Sequence, residues 1–471
     1  MVTYRLLSIT LLVLVIWQGV IWWRVSVQYW LLSERRRLPS RPSGALRAPT
    51  ERSPCPCCAT EATQAPQSPP LPPPPIEHRR GRRRSVDTHR HYCPNPACRY
   101  YGWLGLGNIV ANGHPNGGRW RQLKCIICGK TFLETVGTPF YRCATPVETI
   151  VRALTALAEG MGIRQVARLF QVDPNTVLTW LTQASQHIEA ISRYMVHTLH
   201  LSQVQMDELC ALLSQVQSAP EAAEAVLARW PRRRHRFWLW AAIDPISKLL
   251  LAVVVGDRSL TTAQMLVHAV VQVLAKGCVP LFVSDQLAHY AVALLTHFGQ
   301  WVTIPRRGTC GKHPKPRWMP LPTLQYAQVV KRRVSGRVVA VTHRVVYGVA
   351  AQVQTALEMC GWQINTAFIE RINNAFRSHV AALGRRVIAL AKTMDGLRSQ
   401  TILFQGYYNF CLPHAALRLP LPEPLPTRGN GSPKKWQQRT PAMAAGITDH
   451  IWTLQELLLF RVPPWQQEVT V

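Results

Sequence analysis

"RHRFWLWAAIDPISKLLLAVVVGDRS", residues 234–259, is two apolar runs separated by a short polar break. Runs this short, rich in aromatic and β-branched residues, predict strands. The break, "DPIS" (244–247), has turn chemistry: an aspartate side chain accepts hydrogen bonds from the backbone ahead of it, and proline presets φ. A β-hairpin is expected. Upstream, "LSQVQMDELC" (201–210) alternates apolar and polar residues as a half-buried strand does. Downstream, "TTAQMLVHAVVQVLAKG" (261–277) is an amphipathic helix, and "CVPLFVSDQLAHYAVALLTHFG" (278–299) is a buried strand followed by a helix. Residues 326–348 are strand-like about a turn at Ser335–Gly336, and helical sequence follows. Three strands, a helix, a strand and then helices is the order of an α/β domain of the RNase H-like class, expected over residues 197–418.

The carboxylates of this region are few. Asp207 lies on the first strand, Asp285 ends the later strand, and Glu370 stands alone in the basic helix "NTAFIERINNAFRSHVAALGRR" (365–386). Carboxylates from two strands and a helix can hold two divalent cations for phosphoryl transfer. Magnesium, or manganese, suits an all-oxygen site. Glu208 adjoins Asp207 and is an alternative ligand; Asp244 is read as a turn residue. Asn374 and Arg377 share a helix face with Glu370 and are placed to touch DNA phosphate.

The chain has 471 residues and a formal net charge of +30, which points to a polyanionic partner. Only +9 of that charge falls in residues 1–92, so the folded part is itself basic. Thirteen cysteines are too sparse for a disulfide scaffold. Four have metal-ligand spacing: "CPNPAC" (93–98) and "LKCIICGKTF" (123–132) give two knuckles, Cys93/Cys98 and Cys125/Cys128, with 26 residues between them. That pattern predicts a four-thiolate zinc ribbon over 92–143, against the alternative of four unrelated buried cysteines. Cys143 lacks a partner at knuckle spacing, and Cys55, Cys57 and Cys58 sit in a proline-rich run.

Residues 144–196 are read as a helix-turn-helix domain: "GIRQVARLFQV", the turn "DPN" and "TVLTWLTQASQHI" follow a first apolar-periodic helix. Thr176, Thr179 and Gln183 are the candidate DNA-facing residues; plain three-helix packing is the other reading. At the N-terminus, residues 6–23 carry no charge and are just long enough to span a bilayer. The apolar segment, 1–34, is read as a membrane anchor through residues 6–32 or as a mispredicted start. Residues 35–91 are read as a disordered proline- and arginine-rich linker, ending in the basic arm "HRRGRRR" (78–84), and 419–471 as a C-terminal tail. "GTCGKHPKPRW" (308–318) is read as a surface loop.

Taken together, "MDEL", "FWLWAAID", "FVSDQLAHY", "YAQVVKRRVSGRVV", the 365–386 helix, "YYNFCLPHAALR" and "RTPAMAAGITDHIWTLQELL" (439–458) resemble transposases of the insertion-sequence-one type. The resemblance spans about residues 92–460. It implies a zinc ribbon, a helix-turn-helix and a DDE domain that cuts and joins DNA at inverted repeats. It assigns catalysis to Asp207, Asp285 and Glu370, and zinc to Cys93, Cys98, Cys125 and Cys128. The partners it implies are double-stranded DNA and a homodimeric or higher synaptic assembly, in a cytoplasmic, nucleoid-associated setting. An apolar segment and a proline linker before residue 92 depart from that family's pattern, which leaves a membrane-tethered or inactive transposase-derived DNA-binding protein as the rival.

Overall fold

The computed structural model describes residues 70–76, 90–213, 235–304, 315–335, 337–358, 364–384, 390–426 and 431–467. The apolar segment 6–32, Cys55, Cys57, Cys58, the basic arm 78–84 and most of the 308–318 loop lie outside them. Among the described residues, no helix is long and apolar enough to cross a membrane.

The first ordered module is a small antiparallel sheet of β1 (Ile109–Ala111), β2 (Gln122–Cys125) and β3 (Thr131–Leu133). Three helices follow: α1 (Val147–Ala158), α2 (Ile163–Phe170) and α3 (Pro174–Met195). Asp173 starts α3 by accepting a hydrogen bond from Asn175 N at 2.7 Å, with Pro174 in the first turn. Gln171, in the left-handed region at φ 54°, closes α2.

The central sheet contains β4 (Gln203–Leu213), β5 (His235–Ile243), β6 (Leu250–Gly256) and β7 (Leu281–Ser284). A separate antiparallel pair is formed by β8 (Gly299–Val302) and β9 (Arg317–Pro320), and β9 overlaps the end of the stretch read as a surface loop. The sheet is completed by β10 (Gln325–Val334) and β11 (Arg337–Tyr347), in the order β11-β10-β7-β4-β5-β6. The expected hairpin is present, and Asp244 holds its turn: its carboxylate accepts from Ile246 N, Ser247 N and Ser247 Oγ. β7 runs parallel to both β4 and β10, and the other pairs are antiparallel.

Period-two alternation gives the sheet two apolar faces. Val204, Met206, Trp240, Ala242 and Phe282 pack with α4 (Leu260–Val273) and α5 (Ala288–Phe298). Leu209, Leu239, Ala241 and Ile243 face a second set of helices. These are α7 (Ala367–His379) and α8 (Met394–Gly406), with α6 (Ala350–Glu358) against β10.

Two sequence-based boundaries are corrected. Residues 419–471 are not a free tail. β12 (Leu419–Leu425) pairs with β13 (Lys434–Gln437), and the short helices α9 (Pro441–Ala444) and α10 (Leu454–Leu459) follow. Trp452, Leu454, Leu457 and Leu458 are buried in the core shared with α1 and α3. Residues beyond them reach the cysteine module: Tyr92 donates to Val462 O, Gln467 bonds the backbone of Gly102 and Leu104, and Trp465 packs against Tyr101 and Trp103. A Cβ on Gly102 would lie 2.5 Å from Pro464. The linker is likewise not wholly free, since Ile76 N donates to Leu106 O and Pro74 O accepts from Tyr100. Both stretches have too little periodic apolar sequence to announce a core role.

His187 on α3 joins this C-terminal strap through Phe460 O at 2.9 Å, and burial holds its pKa down at about 4. The unfolded chain then binds the proton more tightly than the folded one. Stability is therefore complete above pH ~6.5 and falls as pH drops toward 4, by up to about 3 kcal/mol. Thermal unfolding of wild type and His187→Asn across this range checks it: the variant should lose much of that pH dependence.

Candidate active site

The parallel register of β4 and β7 pairs Gln203 with Leu281 and ends by pairing Met206 with Ser284. The next residue on each strand is a carboxylate, Asp207 or Asp285. Chain direction thus places two residues 78 positions apart side by side in the middle of the sheet, where the β4–β7 pairing ends. Glu208 joins them: ligand oxygens of Asp207, Glu208 and Asp285 all lie within 4.8 Å of one another. Glu370 is outside that cluster but lines the same cavity, of about 630 Å³, together with Asn373, Asn374, Arg377, Lys331, Thr366 and Trp238.

Each carboxylate is held differently. Asp207 Oδ2 accepts from Asn373 Nδ2 at 2.8 Å, and its Oδ1 accepts from Glu208 N. Burial raises its pKa to about 7, and the charges of Asp285 and Glu208 add to the rise. Asp285 Oδ1 accepts from Leu287 N at 3.0 Å. Glu208, which lines the same cavity, is held by Arg258, which donates to Oε1, and by Tyr290, which donates to Oε2. Burial and Asp285 raise the Glu208 pKa, and Arg258 opposes them. Glu370 Oε1 accepts from Lys331 Nζ and from Thr366 Oγ1.

The structure therefore brings Asp207 and Asp285 together as the sequence suggested, with Glu370 across the cavity bound to a lysine. Asn374 and Arg377 line the cavity as their spacing from Glu370 predicted. Asn373 and Lys331 were missed. Lys331 reads as one charge in the solvated run "KRR", and Asn373 as an ordinary polar helix residue. The doubled asparagine in a helix with one acid was the available signal. Gln205 also escaped notice; its Oε1 accepts from Ile369 N at 3.2 Å and ties the start of α7 to β4.

The donor set fits a divalent cation. It is all oxygen, the carboxylates crowd one another, and buried Asn373 Oδ1 has no hydrogen-bond partner among the described residues. Glu208, one of the crowded carboxylates, also forms an ion pair with Arg258. Its side chain is 2% exposed, against 44% for Arg258. Arg258→Ala would leave a buried carboxylate with one hydroxyl partner, and we expect a loss of about 2 kcal/mol after discounting for the exposed arginine. Denaturant unfolding of Arg258→Ala beside Glu208→Gln/Arg258→Ala checks it; the double variant should be the more stable of the two.

In the cysteine module, Cys93 Sγ lies 3.6 Å from Cys128 Sγ, and Cys98 Sγ lies 3.9 Å from Cys125 Sγ. A tetrahedron with metal–sulfur bonds of ~2.3 Å has edges of ~3.8 Å, so the four thiols are spaced for zinc. Asn108 Nδ2 reaches Cys125 Sγ at 3.6 Å, and Gly129, at φ 71°, makes the turn after Cys128. Cys143 is outside this group; its thiol donates to Pro139 O. On α3, Thr179 and Gln183 are exposed and Thr176 is half-buried, while Val177, Trp180 and Leu181 are buried on the other side.

No family model and no curated protein sequence matches the chain. Similar solved structures include the Mos1 strand transfer complex, at 14% identity over 30% of this chain and 51% of that one, with a TM-score of 0.13. The Mos1 paired-end complex with left transposon end shares 13% identity over 31% of this chain and 55% of that one, with a TM-score of 0.14. A pre-cleavage Mos1 transpososome shares 11% over 54% and 75%, with a TM-score of 0.16. The chain thus spans about half the length of the first two. At these TM-scores the likeness carries no weight for fold or chemistry, which rest on the strand register and the carboxylates.

Proposed function

We propose that the chain is a DDE-type DNA transposase that binds DNA and carries out metal-dependent strand cleavage and transfer. The observation that carries this is the meeting of Asp207 and Asp285 just past the last paired residues of parallel β4 and β7, in a cavity that Glu370, Lys331, Asn373, Asn374 and Arg377 also line. The sheet order supports an RNase H-like catalytic domain. Residues 92–143 are proposed as a zinc ribbon and 144–196 as a helix-turn-helix, bound together by the C-terminal strap.

Asp207, Asp285 and Glu370 would hold magnesium or manganese. When bound, such ions activate a water or 3′-hydroxyl and stabilise the leaving oxygen. The chain's own groups do the rest. Asn373 orients the Asp207 carboxylate. Arg377 and Asn374 bind the phosphate next to the reacting one. Lys331, whose ammonium sits on Glu370, would be free to meet a DNA phosphate when Glu370 holds metal. Thr179 and Gln183 meet base edges in a major groove, with Thr176 beside them. Zinc holds the two knuckles of the ribbon through Cys93, Cys98, Cys125 and Cys128. Two copies would pair two element ends.

The test uses the full chain with a supercoiled plasmid carrying the DNA that flanks its gene. Expected are breaks leaving 3′-hydroxyl ends, and joined products, only with magnesium or manganese. Intact plasmid with both metals overturns the reading.

A further inference from the structure

A second cavity, of about 260 Å³, lies on the other side of α7. Successive helix residues turn by ~100°, so Phe368, Arg371 and Ile372 form one stripe, while Glu370, Asn373, Asn374 and Arg377 form the opposite one. The first stripe lines the second cavity, and the other lines the carboxylate cavity. Across the second cavity stand Lys248, from the β5–β6 turn, and Tyr408 and His414, from beyond α8.

This cavity has the opposite charge character to its neighbour. Among its described lining residues are Lys248, Arg371 and His414, and no aspartate or glutamate. Lys248 is only 7% exposed, with its ammonium 3.4 Å from the Phe368 ring centroid and donating to Pro245 O. Its backbone is left-handed, φ 61°, where glycine or asparagine fits more easily. A lysine held there and buried keeps its place for its side chain. Arg371 is exposed along the rim. His414 Nδ1 accepts from Ala416 N at 3.2 Å, so the ring's proton is on Nε2, a donor. Burial lowers the pKa of Lys248 against the pull of Asp244, with Arg371 adding to the fall, and burial, Lys248 and Arg371 lower that of His414.

We propose that this cavity is a phosphate-binding pocket, which takes a backbone phosphate of the DNA strand crossing α7, with Lys248 and Arg371 supplying charge and His414 an N–H. The volume suits a phosphate group and a few waters of ~30 Å³ each, and the oxyanion chemistry needs donors only. DNA as the source rests on the proposed function; the pocket does not. Inorganic phosphate is the other source of the same chemistry.

The full chain is tested by anisotropy with a short labelled duplex over a salt series, and by phosphorus-31 line broadening of inorganic phosphate. For Lys248→Met/Arg371→Ala, we expect weaker duplex binding and a slope of log affinity on log salt lower by about 0.9, the signature of one lost phosphate contact. Affinity, slope and broadening all unchanged in the variant overturn the proposal. Broadening lost in the variant with the slope unchanged overturns the DNA assignment in favour of free phosphate. Should the double variant fail to fold, Arg371→Ala alone decides, since an exposed helix position tolerates alanine: affinity, slope and broadening all unchanged overturn the pocket. Glu370→Gln should lose cleavage and keep the full salt slope. A wild-type chain that never cleaves DNA refutes the catalytic reading and leaves this test standing.

Discussion

Asp285→Asn is expected to lower metal-dependent strand cleavage by at least ~10³-fold, about 4 kcal/mol of transition-state stabilisation, with duplex affinity almost unchanged. Asp285 meets Asp207 where the β4–β7 pairing ends, and among the described residues its carboxylate has one backbone donor, Leu287 N. Its charge is therefore directed at the cavity. Asp207→Asn should behave alike. The third carboxylate is the sharper question, since Glu208 sits closer to the pair and Glu370 across from it. Glu370→Gln should match Asp285→Asn, whereas Glu208→Gln should lower stability first, by unbalancing Arg258 and Tyr290. Cleavage rates, duplex affinity and unfolding midpoints for the four variants separate these roles. A Glu370→Gln chain that cleaves at the wild-type rate would transfer the third position to Glu208.

Removing metal from the cysteine module is expected to unfold it. Structural zinc contributes on the order of 10 kcal/mol in modules of this kind, far more than three short strands can supply. The strap is coupled to it: Gln467, Trp465 and Val462 bind the module through Gly102, Leu104, Tyr101, Trp103 and Tyr92. Chelation, or Cys125→Ser, should therefore expose both residues 90–145 and residues 461–467 to protease, while the central sheet stays resistant. Elemental analysis should give one zinc per chain. A metal-free chain with both segments still protected would refute the coupling.

Much of the fold was legible in the sequence because its signals are local. The 234–259 hairpin carries its own turn chemistry in Asp244 and Pro245, and the observed β5 and β6 lie on either side of it. The spacing of Cys93, Cys98, Cys125 and Cys128 is a property of two tight turns. The start of α3 follows from Asp173 and Pro174. Asp207, on the first strand, and Asp285, ending a later one, could be selected as candidates in a chain poor in acids.

What the sequence could not decide depends on which segments meet. Lys331 is one of a row of charges until β10 lies beside β7 and turns its ammonium onto Glu370. Glu208 differs from Asp207 by one position and its carboxylate lies in the same cluster; only the tertiary partners separate them, Asn373 on Asp207, and Arg258 and Tyr290 on Glu208. The strap from Trp452 to Gln467 has no period of its own, because its apolar residues answer to α1, α3 and the cysteine module and not to one another. By itself the sequence determined the strands, the turns and the metal-ligand spacings, since those arise between near neighbours in the chain. Only the tertiary structure decided the partners of each charge, since a carboxylate's role is set by what burial and long-range packing place within a few ångströms of it.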